Sequence, residues 1–293
     1  MKHVLIFSRY VKASYMESFD LVKQMLTQWG CQIYASEELH DYLHQEGHST
    51  DIVRIKNHQE LTQSQVDTVI TLGGDGTILG ATALIGRLQI PIMGINLGRL
   101  GFLAGTEKAF IADGLTKLYK GHYRIEERAM IYLESHPGLF DGFSYGLNDF
   151  TVHKRDTSSM ITIHTYINGD YQNSYWADGL IVATPTGSTG YSLSCGGPII
   201  FPGAGTLVIT PVAPHNLNIR PLVIPDTSVV SFSVEGRTKN FLCTLDSRYE
   251  TITADHQLAV RRADFNTRLI ILKGQSFLKT IHEKLSWGAD QRN

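Results

Sequence analysis

The chain has 293 residues, 42% hydrophobic and 18% charged, with a formal net charge of −2. That length holds one large domain or, more readily, two, and the composition excludes a disordered chain. The near-neutral charge excludes a basic field for nucleic acid or an anionic membrane.

Three scattered cysteines, Cys31, Cys195 and Cys243, give neither a disulfide framework nor a metal-ligand spacing. The apolar start Val4 to Phe7 is too short for a signal-peptide core, and no run approaches the length of a bilayer span. A soluble, cytoplasmic protein is expected.

Residues 3–8 read as a short strand. Phe19, Val22, Leu26 and Trp29 then recur at helical spacing ahead of Gly30. Cys31 to Tyr34 and Asp51 to Ile55 read as strands, with a helix around Leu39, Tyr42 and Leu43 between them. Val69 to Leu72 is a buried strand entering the turn Gly73-Gly74-Asp75-Gly76, with a helix expected from Thr77. Ile90 to Ile95 is another strand. It leads into Asn96-Leu-Gly-Arg-Leu-Gly-Phe-Leu103 and a helix near Lys108 to Tyr119. Alternating strands and helices predict a mostly parallel sheet covered on both faces, with ligands at the carboxyl ends of its strands.

From about Tyr123 the texture changes to dense, short β-like runs. These are Arg128 to Glu134, Gly142 to Leu147, Met160 to Ile167, Gly179 to Thr184, Thr206 to Thr210, Ser228 to Val234 and Phe241 to Leu245. Thr251 to Val260 and Arg268 to Lys273 add more, and Asn168-Gly169 is a hairpin signal. An antiparallel β domain is predicted. Phe277, Ile281 and Leu285 then form one apolar helical stripe. With no partner in an all-β region, that helix is expected to pack back on the first domain.

The glycines of the Gly73 loop bring backbone N–H groups close to a ligand, and a helix N-terminus behind them favours phosphate. A carboxylate in such a loop repels phosphate. Asp75 therefore reads either as a group that takes a proton from an attacking hydroxyl or helps place magnesium, or as a helix cap. Asn148 and Asp149 read as a turn or as a pair that grips a sugar diol. Trp176-Ala-Asp-Gly179 and the hydroxyl-rich run Thr184 to Ser194 can set amides, hydroxyls and the Tyr191 ring against a flat polar ligand. Thr210 to Pro221 is stiffened by three prolines around His215 and Arg220. Neither a zinc-ligand pattern nor a Gly-x-Ser-x-Gly elbow is present.

These motifs in this order resemble the NAD kinase family over nearly the whole chain. Gly73-Gly74-Asp75-Gly76-Thr77 alone is shared with diacylglycerol kinase-like and 6-phosphofructokinase-like proteins. Asn96 to Leu103, Asn148-Asp149, Asp178-Gly179, Thr184 to Ser194, and Pro214-His215 through Arg220-Pro221 are more specific. The resemblance implies an N-terminal Rossmann-like (phosphofructokinase-like) α/β domain, residues 1–124 with 268–293, followed by an antiparallel β-sandwich over 125–267. It implies transfer of the γ-phosphoryl of ATP to the adenosine-ribose 2′-hydroxyl of NAD, with magnesium on the ATP oxygens and a homodimer or homotetramer.

By the same resemblance Asp75 is the general base, and Gly73, Gly74 and Gly76 hold phosphate. Phe102 lines the dinucleotide site, where Asn148 and Asp149 bind ribose and base edges. Asp178, Thr186, Thr189, Gly190, Tyr191, Ser192, Leu193 and Ser194 enclose the dinucleotide. Ala213 reaches the site from a neighbouring subunit, and His215 lies near the reacting phosphates. Four positions depart from the family pattern: Asp149 for glutamate, Gly190 for alanine, Gly80 for a basic residue, and Leu245-Asp246-Ser247-Arg248 for Asp-Gly-Arg. The last puts a role for Asp246 in doubt. A lipid or sugar kinase of the same superfamily, or a non-catalytic NAD/NADP sensor, are the alternatives.

Overall fold

In a computed structural model the described residues are 1–48, 52–155 and 159–286, so Asp51, the expected start of one strand, lies outside them. The chain divides into two units, Met1–Glu127 with Thr267–Asn293, and Arg128–Asn266.

The first unit alternates strands and helices: β1 (His3–Phe7), α1 (Met16–Gln28), β2 (Gln32–Ser36), α2 (Glu37–Gln45), β3 (Val53–Ile55), α3 (His58–Gln63), β4 (Thr68–Gly73), α4 (Asp75–Ile85), β5 (Ile92–Asn96), β6 (Thr106–Glu107) and α5 (Ile111–Tyr119). Its strands pair in parallel in the order β3-β2-β1-β4-β5. Every residue of β4 and β5 is buried, as a sheet covered on both faces requires. Phe19, Val22 and Leu26 of α1 enter a core with Val4, Ile6, Ile70 and Ile95, and Trp29 stacks on Tyr119 at 4.4 Å. The direction of winding reverses between β1 and β4. Such a switch point opens a crevice at the strands' carboxyl ends, where the loop after β4 lies.

Two expectations change here. α4 begins at Asp75 and not at Thr77, because Gly74 takes the extended N-cap conformation and Asp75 is already helical. α3 was not expected. It is six residues long and is fixed by a reciprocal cap, in which Glu60 N donates to Asn57 Oδ1 (2.9 Å) and Lys56 N to Glu60 Oε2 (2.8 Å).

The β-rich part runs β7 (Tyr123–His136), β8 (Tyr145–Gly146), β9 (Asp149–Lys154), β10 (Ile161–Ile167), β11 (Asp170–Ala177), β12 (Gly179–Ala183), α6 (Tyr191–Ser194), β13 (Thr206–Val212), β14 (Leu222–Pro225), β15 (Val230–Glu235), β16 (Asn240–Leu245), β17 (Arg248–Thr253) and β18 (Gln257–Leu272). In the second unit one antiparallel sheet is ordered β14-β13-β12-β9-β16-β17, and a second contains β11-β10-β15-β18. Their inward residues share one core, with Phe150 and Phe232 ring centroids 5.9 Å apart. β12 is buried throughout because its other side chains, Ile181 and Ala183, pack against Ile200, Val208 and Val212. That explains its unbroken apolar run.

β9 and β14 were not expected as strands, and the expected strand Gly142 to Leu147 shrinks to β8 behind a tight turn at Phe140–Gly142. The two late β-like runs prove to be β17 and one 16-residue strand, β18. The end of β18 belongs to the first unit, where Leu269 pairs with Ile92. The terminal helix α7 (Phe277–Leu285) is in that unit too and buries Ile281. No helix among the described residues is long and apolar enough to cross a membrane.

Candidate functional site

In the first unit the chemistry gathers at the ends of β4 and β5. Gly73 closes β4 with Thr77 packed against it, so that an added Cβ would stand 2.1 Å from Thr77 Oγ1. Gly74 and Gly76 are exposed, with open space where side chains would begin. Gly76 is helical, so close backbone approach and not left-handed geometry is what these two positions offer a ligand.

Asp75 is the first residue of α4, and Gly74 before it is the N-cap. The Asp75 carboxylate turns to the loop after β5 and accepts three successive amides: Phe102 N on Oδ2 (2.7 Å), and Leu103 N and Ala104 N on Oδ1 (3.0 Å each). An ionised carboxylate offers about four acceptor positions, so one remains open on Oδ2.

The loop itself is folded by Asn96, whose Nδ2 donates to Arg99 O and whose Oδ1 accepts Gly98 N, both at 2.7 Å. It comes so near that a Cβ on Gly101 would lie 1.9 Å from Asp75 Oδ1. At Gly80 the space a side chain would enter is bounded by the Phe7 ring, 3.2 Å from an added Cβ, and by the stem of Arg9, 3.6 Å away.

In the second unit a carboxylate does the same thing again. Asp246 takes a left-handed conformation in the β16–β17 turn and is half-buried. It accepts Leu147 N (2.8 Å), Asn148 N (2.7 Å) and Asp149 N (3.2 Å). The residue whose role was in doubt therefore fixes the start of β9. Arg248 supports the turn by donating to Phe143 O and Tyr145 O. Sequence alone carried no signal for this, since the partners are backbone groups almost a hundred positions away.

Asn148 Oδ1 is buried with no partner among the described residues. A buried acceptor without a donor costs about 1–3 kcal/mol, so this atom is a place for a ligand N–H or O–H. Burial, and then the charge of Asp246, push the Asp149 carboxyl up to about 7, against a weaker opposing bond from Thr151. Burial likewise raises Asp246, opposed by its three amides and Arg248.

A raised value means the folded chain holds the Asp149 proton more tightly than the unfolded chain does. That contribution to stability is complete below about pH 4 and is lost as pH rises through about 7. The melting temperature is expected to be higher at about pH 5.5 than at about pH 8, and Asp149→Asn to shrink the difference. An unchanged difference in that variant would remove Asp149 as its source.

The run after β12 folds into two short turns of helix, Gly187–Thr189 and α6. It is stitched to the Asn148 segment: Thr184 Oγ1 donates to Leu147 O (2.6 Å), Thr184 N to Asn148 O (2.9 Å) and Gly187 N to Thr184 Oγ1 (3.1 Å). A Cβ on Gly187 would stand 2.1 Å from Asn148 O. Gly190 faces Asn148 Nδ2 and Asp149 Oδ2, which would lie 3.7 and 3.9 Å from an added Cβ. The structure thus brings Asn148, Asp149, Gly187 and Gly190 together.

Buried Arg128, not singled out by the sequence, donates to Thr186 Oγ1 (3.2 Å). Thr189 Oγ1 donates to Thr186 O (3.0 Å). Ser192 is fully buried and bonded to Thr210 (2.8 Å), so its hydroxyl shapes the turn from within. Leu193 is half-buried, while Tyr191 and Ser194 are exposed. Asp178 pairs with Lys154 at 2.6 Å, Ala213 takes a left-handed conformation, and the His215 ring lies 4.3 Å from that of Trp176.

A family model described as the ATP-NAD kinase N-terminal domain matches residues 4–123, and one described as the ATP-NAD kinase C-terminal domain matches 147–272. The chain is 50% identical over 227 residues to a protein named NAD kinase from Cytophaga hutchinsonii, covering 78% of each chain. It is 41% identical over 291 residues to one from Christiangramia forsetii, covering 98% of this chain and 99% of the other. Among solved structures it shares the fold of yeast NADH kinase complexed with NADH, with a TM-score of 0.88 at 21% identity over 99% of this chain and 89% of that one. It also shares the fold of an NAD kinase from Archaeoglobus fulgidus in complex with ATP, with a TM-score of 0.75 at 20% identity over 98% and 99% of the two chains.

Proposed function

The chain belongs to the NAD kinase family and is an ATP:NAD 2′-phosphotransferase, and from that premise we propose how its residues divide the work. Asp75 accepts the proton of the adenosine-ribose 2′-hydroxyl of NAD as that oxygen attacks the γ-phosphorus of ATP. The bond from the γ-phosphorus to its bridging oxygen breaks, ADP leaves, and NADP remains. The observation that carries this reading is the open acceptor position on an Asp75 carboxylate fixed by three amides at the start of α4. A ribose hydroxyl is a poor nucleophile at neutral pH, and a positioned base contributes about 10²- to 10⁴-fold.

Gly73, Gly74 and Gly76 present N–H groups and a helix N-terminus to the ATP phosphates. A magnesium ion bound with the nucleotide would supply charge neutralisation for phosphoryl transfer. Asp75 is the carboxylate beside the loop, a donor set that matches an ion held mainly by nucleotide oxygens.

Asn148 and Asp149 bind ribose and base edges, with Asn148 Oδ1 taking the donor it lacks. Phe102, Asp178, Thr186, Thr189, Gly190, Tyr191 and Ser194 line the dinucleotide, while Ser192 and Leu193 keep the turn in shape. Ala213 serves a neighbouring subunit of a homodimer or homotetramer, and His215 lies near the phosphates. In this reading the first unit is the Rossmann-like phosphate unit, the second is the sandwich that takes the dinucleotide, and the enzyme works in the cytoplasm without nucleic acid or membrane.

Purified chain mixed with NAD and MgATP is expected to form NADP and ADP in equal amounts. ATP consumption on a lipid or sugar but not on NAD, or tight NADP binding with no product, would contradict the proposal.

A further inference from the structure

Residues beyond 272 lie outside both matched family regions, yet they are tied to the loop that holds Asp75. Gln275 Nε2 donates to Gly105 O at 2.6 Å and lies 3.4 Å from Thr106 Oγ1, while its Oε1 accepts Leu272 N at 2.9 Å. Ser276 then caps α7 by accepting Lys279 N (3.2 Å). The first residue of that helix, Phe277, sets its ring 6.5 Å from the Phe102 ring. From the last turn Lys284 brings Nζ to 4.5 Å over the centroid of the same ring. The side chain of Phe102 is thus held by α7 while its own N–H, 2.7 Å from Oδ2, holds Asp75.

We propose that Gln275 and Lys284 are positioning residues that set the geometry of the candidate base through the loop Phe102–Gly105. The inference rests on the reading of Asp75 as the base. The segment between Gly98 and Gly105 contains no helix or strand, so ties from outside decide where its amides point. Small displacements of a reacting group cost large factors in rate. Gln275 fixes one end of the loop at Gly105, next to the Ala104 amide. Lys284 holds the ring by cation–π attraction, and so fixes the orientation of the residue whose amide binds Asp75.

Two variants test this. Gln275→Glu keeps the shape and the acceptor for Leu272 N but sets a carboxylate oxygen against Gly105 O. It is expected to lower kcat about tenfold with the KM for ATP changed less than about twofold. Lys284→Met keeps the apolar stem and is expected to lower kcat about threefold, with Lys284→Arg restoring it because guanidinium also stacks on a ring. In a Phe102→Leu background Lys284→Met should have no further effect, since the ring it acts through is gone. Lys279→Ala, on an exposed ion pair with Glu283, should behave as wild type.

Losses that add in the double variant and follow the drop in melting temperature would make α7 merely structural and overturn the inference. Wild-type kcat in both Gln275→Glu and Lys284→Met beside an inactive Asp75→Asn would also overturn it and leave the base in place. Wild-type turnover in Asp75→Asn would defeat the base and this inference together.

Discussion

Asp75→Asn is expected to lower kcat by about 10²- to 10⁴-fold, the range a positioned general base supplies. The dissociation constant for NAD should change little, because Asn148 and the turn around Gly187 and Gly190 are untouched. The structure also predicts a secondary effect. An asparagine side chain has one carbonyl acceptor and an amide that only donates, yet it would face three N–H groups from Phe102, Leu103 and Ala104. At least one of them loses its partner, at a cost of about 1–3 kcal/mol. A lowered melting temperature with intact NAD binding and near-absent turnover is therefore the expected pattern. Calorimetric binding and a thermal melt, run beside the kinetics, separate lost chemistry from lost structure.

Gly101→Ala should be nearly as severe, although this residue takes no part in the proton transfer. A Cβ there would stand 1.9 Å from Asp75 Oδ1 and 2.5 Å from its carboxyl carbon, closer than atoms can approach. The loop must retreat, and the three amides retreat with it. Turnover is expected to fall about 10²-fold, as for a reacting group displaced by about an ångström. The stability loss should be about 1–3 kcal/mol, that of an overpacked site. Gly98→Ala in the same loop is the comparison. Its Cβ would meet only Asn96 Oδ1 at 3.9 Å, and it should keep most of its turnover. Equal losses in the two variants would mean that loop flexibility, and not close approach to Asp75, is what the glycines provide.

The sequence showed where chemistry could sit more readily than what holds it there. The Gly73 loop was legible because glycines and an aspartate interrupt a buried strand, and α1 because Phe19, Val22 and Leu26 keep helical spacing. The cradles around Asp75 and Asp246 were not. Their donors are backbone N–H groups, which every residue but proline carries, so no side-chain pattern marks them. The partners lie 27–29 positions away for Asp75 and 97–99 for Asp246. β9 was missed for a different reason. Asp149 has turn chemistry, but pairing with β12 on one side and β16 on the other overrides that preference. The start of α4 was misplaced because glycine at an N-cap leaves no capping side chain to read. Two carboxylates that each gather three successive amides emerge as a repeated local device, one at the candidate base and one beneath the candidate dinucleotide ligands.

The most direct test is a crystal structure of the chain with NAD and a non-hydrolysable ATP analogue. The account predicts the 2′ oxygen of the adenosine ribose at about 2.6–3.2 Å from Asp75 Oδ2, the oxygen with an acceptor position to spare. A 2′ oxygen more than about 5 Å from both carboxylate oxygens, with the analogue's terminal phosphate in line with it, would show that another group takes the proton.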